Sequence, residues 1–94
     1  MTIYENEDKY QLFFNDLCRY EDMEFFFENF KINLNAELIE KIDGPYSRTW
    51  KVIINKNNYN LVIDEDYGSF IMAENENSIK ELKKITSVIE RFIN

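Results

Sequence analysis

Carboxylate side chains form two short clusters, and these are the groups in the sequence with the most scope for chemistry. The clusters are Glu21-Asp22-Glu24 and Asp64-Glu65-Asp66, the second followed directly by Tyr67. Paired carboxylates perform acid–base catalysis in glycosidases, and acidic loops of suitable spacing hold calcium. The second cluster lies in a predicted turn where adjacent acids repel one another and stay solvated, and the further ligands of a calcium loop do not follow it. We therefore predict that both clusters contact a partner through charge.

Most catalytic and metal-binding chemistry lacks its usual residues in this chain, which has no histidine, two glycines and one cysteine. Histidine is the commonest general base and metal ligand, and the isolated Gly44 and Gly68 do not form a phosphate-binding loop. Cys18 has no second cysteine for an internal disulfide and no histidine to activate its thiol. We expect no enzymatic activity, no cofactor and no bound metal.

The negative charge is concentrated near the start of the chain. Residues 1–30 carry eight acidic and two basic side chains, residues 31–60 three acidic and five basic, and residues 61–94 seven acidic and four basic. An acidic surface interleaved with aromatic residues favours a basic protein partner, because complementary potentials speed association and rings supply contact area at low entropic cost. Direct nucleic-acid binding is not expected, because 11 basic residues against 18 acids do not neutralise a phosphate backbone.

Length and composition predict one domain, residues 1–94. Hydrophobic residues make up 45% of the chain, with two Gly and one Pro, which is typical of an ordered protein with a two-layer core. The N-terminus has no signal-peptide pattern, and no apolar run is long enough for a membrane span. These features predict a cytoplasmic protein that does not enter the membrane.

The N-terminal third has the periodicity of helices. The first segment, residues 6–20, is predicted to be one helix, and residues 21–30 either continue it or form a second one. We favour a break near Asp22, because a continuous helix would place Glu24 in the apolar seam. The apolar stripes are Tyr10, Phe13, Phe14, Leu17 and Cys18 in the first segment, and Met23, Phe26, Phe27 and Phe30 in the second.

From Phe30 the apolar period changes to two. The alternation from Phe30 to Leu38 predicts a strand. A helix over residues 35–42 is the competing interpretation, because Gly44 followed by Pro45 is a common helix stop. The further predicted strands are residues 47–55, 59–63 and 69–73, joined by turns at residues 56–58 and 64–68.

The last predicted element is an amphipathic helix. Ser78 followed by Glu81 has the spacing of a capping box, and an apolar stripe follows it. The stripe consists of Ile79, Leu82, Ile85, Ile89 and Phe92. The whole pattern predicts the α+β class: a small two-layer domain with an N-terminal helix and a possible second one, a three- or four-stranded antiparallel sheet and a C-terminal helix.

In size, acidity and layout, the chain resembles small bacterial immunity proteins that neutralise nuclease toxins, including those of contact-dependent inhibition systems. This resemblance implies an inhibitor that occludes the active or nucleic-acid-binding site of a cognate basic toxin. The segment from Ala73 to Ile79, which joins a predicted strand to a helix, resembles the corresponding junction in one family of phage anti-CRISPR proteins. That resemblance implies the alternative of an anti-CRISPR or other DNA-mimic inhibitor.

We expect a protein-binding inhibitor whose contact surface consists of the two acidic clusters, with the turn at residues 64–67 as the main contact. The second alternative is a non-catalytic subunit or adaptor that assembles through an apolar patch. The sequence leaves the oligomeric state open. Tyrosines are better interface candidates than phenylalanines, because a phenol tolerates both burial and water. The candidates are Tyr4, Tyr20, Tyr46, Tyr59 and Tyr67.

Overall fold

A computed structural model describes residues 1–14 and 19–93 of the chain. The strands are β1 (Thr2–Glu5), β2 (Tyr10–Phe14), β3 (Glu37–Asp43), β4 (Ser47–Ile54), β5 (Asn57–Asp64) and β6 (Gly68–Ala73). The helices are α1 (Met23–Leu34) and α2 (Glu76–Ile93), and a short 3-10 helix (Tyr20–Asp22) precedes α1.

The strands form one six-stranded sheet in the order β1-β2-β6-β5-β4-β3, with every neighbouring pair antiparallel. Both helices pack on one face of this sheet. Alternate residues of the inner strands, such as Leu12, Leu61 and Ile71, enter one core together with the buried faces of the helices. The rings of Phe30 in α1 and Phe92 in α2 meet edge to face with their centroids 5.2 Å apart. The α+β class is confirmed, but the sheet formed by the described residues has six strands and not three or four.

The predicted helix over residues 6–20 is wrong, because the chain forms the β1–β2 hairpin there. Tyr10, Leu12 and Phe14 are buried and the residues between them are half-buried, which is the period of a strand. Phe13 lies on the opposite face of the sheet but is also a large apolar residue. The spacing of Tyr10, Phe13 and Phe14 therefore matches that of a helix as well. Asp16, Leu17 and Cys18 of the predicted helix lie outside the described residues.

An Asx turn closes the β1–β2 hairpin. The Asn6 Oδ1 accepts the backbone N–H groups of Asp8 and Lys9, each at 3.0 Å. The backbone N–H of Asn6 donates to the Lys9 carbonyl at 3.0 Å. The acids in this turn therefore belong to a hairpin connection and not to the first turn of a helix.

α1 begins at Met23, where the favoured alternative placed a separate second helix, but the element before it is the 3-10 helix and not the predicted first helix. α1 runs past Phe30 to Leu34, so the first part of the predicted strand is helical. The helix ends at Asn35, whose φ of 58° and N–H bond to the Lys31 carbonyl at 3.0 Å are those of a left-handed cap. The buried face of α1 consists of Met23, Phe26, Phe27 and Phe30, as predicted.

β3 settles the choice between strand and helix after α1. It occupies Glu37–Asp43, so the competing helix over residues 35–42 is wrong. Gly44 and Pro45 lie in the connection from β3 to β4. The strands predicted at residues 47–55, 59–63 and 69–73 correspond to β4, β5 and β6.

The two remaining hairpin turns use residues with positive φ. Asn55 and Lys56, with φ of 50° and 68°, connect β4 to β5, so this turn precedes the predicted one at residues 56–58. Gly68, with φ of 89°, ends the turn between β5 and β6. A Cβ at Gly68 would be strained by this backbone conformation.

The predicted capping box at Ser78 is wrong by three residues, because α2 begins at Glu76 and its cap is Asn75. The Asn75 Oδ1 accepts the Ser78 N–H at 2.9 Å, and the Asn75 N–H donates to the Ser78 hydroxyl at 3.3 Å. These reciprocal bonds satisfy donors that a helix start leaves free. The predicted apolar stripe is confirmed: Leu82 and Ile89 are buried, and Ile79, Ile85 and Phe92 pack against the core.

The sheet face opposite the helices carries a row of mostly apolar residues that crosses every strand. Successive cross-strand partners in this row are Thr2, Phe13, Phe70, Val62, Thr49 and Ile42. The rings of Phe13 and Phe70 are in contact, with centroids 4.7 Å apart. The row ends at Ile42, which is 48% exposed.

Candidate functional site

The two acidic clusters predicted from the sequence lie at the same end of the sheet. Glu21, from the 3-10 helix, and Glu65, from the β5–β6 turn, line one depression of about 360 Å³ together with Arg19 and Tyr20. We call this the acidic end, formed by the 3-10 helix, the first turn of α1 and the β3–β4 and β5–β6 connections. Its carboxylates are Glu21, Asp22, Glu24, Asp43, Asp64, Glu65 and Asp66, and its tyrosines are Tyr20, Tyr46 and Tyr67.

Backbone contacts hold the two hairpin connections of the acidic end together. The Glu65 N–H donates to the Tyr46 carbonyl at 2.9 Å. The Gly44 N–H donates to the Ser47 carbonyl at 2.8 Å, which closes the neighbouring turn. The side chains of these connections therefore project from an ordered rim, which reduces the entropy that a partner must remove on binding.

Asp64 stabilises the turn and does not present its carboxylate freely. Its Oδ1 accepts the backbone N–H of Asp66 at 2.8 Å and that of Tyr67 at 3.1 Å. This is an Asx turn, in which the side chain replaces a backbone acceptor. In the turn predicted as the main contact, the exposed residues are Glu65, Asp66 and Tyr67, the last with 76% of its surface exposed.

Arg48 connects the 3-10 helix to the sheet beneath the acidic end. Its Nε and Nη2 donate to the Asp43 carboxylate at 3.0 and 3.2 Å, and its Nη1 donates to the Tyr20 carbonyl at 3.4 Å. The guanidinium also lies over the rings of Tyr20 and Trp50, at 4.8 and 5.1 Å from their centroids. The hydrogen bonds from Arg48 hold the pKa of Asp43 below its ordinary value, and the same carboxylate raises the pKa of Arg48.

Glu24 lies beside this arrangement. It shares a depression of about 250 Å³ with Trp50 and Lys41, and Arg48 is close enough to interact with its charge. Asp22 is half-buried between Glu21 and the start of α1. The structure thus brings Glu21 and Glu65 together and places Asp22 and Glu24 on the adjoining side.

Asp43, Tyr46 and Arg48 belong to the acidic end but were absent from the contact predicted there, although Tyr46 was a general interface candidate. The only signal for them in the sequence is the Gly44-Pro45 pair, which marks a turn of the kind that exposes its neighbours. Tyr46 is 68% exposed. Its position beside Glu65 depends on two hairpins ending at one edge, which no local pattern encodes.

The tyrosines predicted as interface candidates differ in their exposure. Tyr4, Tyr46 and Tyr67 are exposed by 55%, 68% and 76%. Tyr59 is 2% exposed, so it is a core residue and not an interface candidate. Tyr59 pairs with Val52 and lies on the helix-covered face of the sheet, because it is two and four residues before the buried Leu61 and Ile63 in the same strand.

A second acidic depression, of about 540 Å³, lies at the opposite end of the sheet. It contains Glu7 and Asp8 of the β1–β2 turn together with residues at the start of α2. Two lysines neutralise part of it: Lys83 pairs with Glu5, and Lys80 pairs with Glu76 at 3.5 Å. Among the described residues, the depression between Glu21 and Glu65 is lined by one basic side chain, that of Arg19, and by no lysine.

Residues 1–14 and 19–93 show neither a metal-binding cluster nor a membrane-spanning helix. In that part of the chain, no three His, Cys, Asp or Glu side chains converge into a group that could hold a metal ion. Neither helix of the described residues combines the length and apolar composition needed to cross a bilayer. Comparison of the chain with family models, characterised proteins and solved structures finds no match.

Proposed function

We propose that this protein is a small non-catalytic inhibitor of the immunity type, which neutralises a cognate basic nuclease-type toxin in the cytoplasm. It would occlude the active or nucleic-acid-binding site of that toxin with carboxylates placed where phosphates bind. The observation that supports this proposal is that Glu21 and Glu65, the latter followed directly by Asp66, line one depression at the acidic end. An excess of negative charge on such a rim raises the association rate with a basic partner.

The exposed aromatic residues complete the proposed contact. Tyr46 and Tyr67 flank the carboxylates, and a tyrosine combines a large contact area with a polar tip. In this arrangement the acids steer the encounter and the rings slow dissociation. Neither role needs a nucleophile, a cofactor or direct contact with nucleic acid.

Charge reversal with a matched control tests the proposal. Glu65→Lys with Asp66→Lys alters the acidic end, and Glu7→Lys with Asp8→Lys makes the same charge change in a hairpin turn at the far end. Both pairs are exposed and adjacent in sequence. At low salt, we expect the acidic-end pair to slow association with the basic partner about ten-fold or more, and the far-end pair to have a much smaller effect.

The partner is to be identified by capture from the native host and then purified. Inhibition of a basic nuclease in proportion to added protein, with an association rate that falls steeply as salt rises, is the expected result. Tyr67→Ala should speed dissociation without lowering the unfolding midpoint. Equal weakening by both reversal pairs would mean that only net charge matters, and no effect of the Glu65 and Asp66 pair would show that this turn is merely solvated.

Two alternatives use different parts of these observations. An anti-CRISPR or other DNA-mimic inhibitor would use the same acidic end, and the identity of the captured enzyme separates it from an immunity protein. A non-catalytic subunit or adaptor is favoured by the row of residues from Phe13 to Ile42 on the helix-free face. Its complex would persist at high salt and would be insensitive to the reversal at Glu65 and Asp66.

A further inference from the structure

β3 is the outermost strand at one edge of the sheet, and among the described residues it pairs only with β4. Two large apolar side chains of β3 are exposed to solvent: Ile39 by 53% and Ile42 by 48%. An edge strand presents unpaired N–H and C=O groups that can pair with another strand.

The hydrogen-bond pattern of the β3–β4 hairpin identifies the outward-facing backbone groups. The bond from the Gly44 N–H to the Ser47 carbonyl, 2.8 Å long, makes Asp43 and Arg48 a non-hydrogen-bonded pair. Such pairs alternate along an antiparallel ladder, so Lys41, two residues earlier, has the same orientation. The backbone groups of Lys41 and Asp43 therefore point away from β4.

The regular part of this edge is short and its register options are few. β3 and β4 shift register between Leu38 and Glu40, and Pro45 lacks an N–H, so the usable segment is residues 40–44. Two identical antiparallel strands related by a two-fold axis place one residue opposite itself. A centre at Glu40, Lys41 or Asp43 would place like charges face to face, which is destabilising.

The register centred on Ile42 avoids opposed like charges and pairs residues whose backbone groups face outward. It places Ile42 opposite Ile42 of the second copy, and it places Lys41 opposite Asp43 of the second copy twice. The paired residues Lys41 and Asp43 are the ones whose backbone groups face outward, so they exchange hydrogen bonds across the axis. We propose that the β3 edge is the docking site for a second copy of this chain, in the antiparallel register centred on Ile42.

The neighbouring side chains fit this arrangement. The Asp43 carboxylate accepts hydrogen bonds from Arg48 at 3.0 Å and from the Trp50 indole at 3.2 Å, and the Lys41 ammonium lies 4.3 Å from the Trp50 ring centroid. A lysine from the second copy would add a further cation beside this carboxylate. Ile42 also ends the row on the helix-free face, so pairing two Ile42 side chains continues that row into the second copy.

The salt dependence distinguishes this contact from the proposed acidic partner site. Each copy carries a formal charge of −7, so two copies repel one another over distances longer than the contact itself. Added salt screens this repulsion, and the dimer should strengthen as ionic strength rises. Association with a basic partner should weaken under the same conditions, so the two proposals fail independently.

A pair of proline variants tests whether the edge is used. Lys41→Pro removes an N–H that does not bond to β4, so the sheet should survive while the docking edge is blocked. Ile3→Pro is the matched control on the opposite edge of the sheet. The Asn6 N–H donates to the Lys9 carbonyl at 3.0 Å, so the Glu5–Tyr10 and Ile3–Leu12 pairs are non-hydrogen-bonded and the N–H of Ile3 also points away from its neighbouring strand. By sedimentation, the 11.4 kDa chain should dimerise with rising concentration. Lys41→Pro should weaken this association at least ten-fold, and Ile3→Pro should leave it unchanged.

Cysteine cross-linking tests the register and remains informative if Lys41→Pro unfolds. In a Cys18→Ser background, Ile42→Cys should form a symmetric disulfide dimer on mild oxidation, because opposed residues of a non-hydrogen-bonded pair lie close together. Glu40→Cys should cross-link much more slowly, since Glu40 faces Gly44 of the second copy. Faster cross-linking at residue 40 than at residue 42, or a wild-type chain that stays monomeric at millimolar concentration in high salt, overturns the proposal.

Discussion

Replacing Tyr59 with phenylalanine should raise the stability of this protein, because the Tyr59 hydroxyl is buried without a hydrogen-bond partner among the described residues. The residue is 2% exposed and belongs to the core between the sheet and the helices. A buried polar group without a partner costs about 1–3 kcal/mol. At pH 7 we therefore expect Tyr59→Phe to increase the free energy of unfolding by about 1 kcal/mol.

The gain should increase at alkaline pH. Burial raises the pKa of the Tyr59 phenol well above its ordinary value of 10.0, with a smaller contribution from the charge of Glu81. Above pH 10 the unfolded chain loses this proton while the folded chain keeps it, so the wild type loses stability as the pH rises towards the folded pKa. At pH 11 this loss is about 1.4 kcal/mol, and Tyr59→Phe removes it.

Urea denaturation of both proteins at pH 7, 9, 10 and 11 measures this difference directly. Other groups that titrate in this range cancel in the comparison of wild type with variant. Tyr67→Phe is the control, because Tyr67 is 76% exposed and its loss should change the stability little at any of these pH values. A destabilised Tyr59→Phe at pH 7, or a difference that stays constant between pH 9 and 11, would refute the burial argument.

Three further predictions concern the helix cap, the core and the acidic end. Leu82→Ala should lower the free energy of unfolding by about 2–5 kcal/mol, because Leu82 is 0% exposed in the core; a thermal or denaturant melt without loss would show that the buried face of α2 is misassigned. Asn75→Ala should cost about 0.5–2 kcal/mol in the same melts, because its Oδ1 accepts the Ser78 N–H at 2.9 Å, and an unchanged midpoint would contradict this cap. Asp43→Asn should lower the free energy of unfolding at neutral pH. The difference from wild type should shrink as the pH falls through 3.8 and below, because Arg48 lowers the pKa of Asp43 in the folded state. A difference in unfolding free energy that does not change with pH would exclude this contact as its cause.

The elements that the sequence predicts well are those whose pattern has only one period. α2 carries an apolar stripe at helical spacing over many turns, and β4 has a β-branched run that favours a strand. The predicted N-terminal cap of α2 was wrong by three residues because Ser78 and Asn75 are both good capping residues. The two hydrogen bonds between them do not decide which residue begins the helix, so the end of the preceding strand does.

The N-terminal hairpin could not be predicted because its residues match two periods. Tyr10, Phe13 and Phe14 fit one face of a helix, and Tyr10, Leu12 and Phe14 fit one face of a strand. The choice depends on β6, which offers a strand partner and, through Phe70, a ring contact for Phe13 on the other face. That partner lies more than fifty residues away in the chain, so local propensity carries no information about it.

The candidate site was predictable in its residue types but not in its shape. The acidic clusters at Glu21 and Glu65 are visible in the sequence, and so is the absence of a histidine beside them. Their convergence, and the role of Arg48 beneath them, required the order of the strands. The burial of Tyr59 had a signal in its alternation with Leu61 and Ile63, which outweighs the general preference of tyrosine for interfaces.

The sequence by itself determined the α+β class, the acidic charge and the residue types available for chemistry, because composition and periodicity are local properties of the chain. Only the tertiary structure decided that the described residues form six strands, which of the strand ends meet, and which two strands form the edges of the sheet. The physical reason is that a strand has two faces and two edges and can satisfy its backbone with several partners. The arrangement adopted is the one that lets alternate residues of the inner strands and the buried faces of α1 and α2 enter one core.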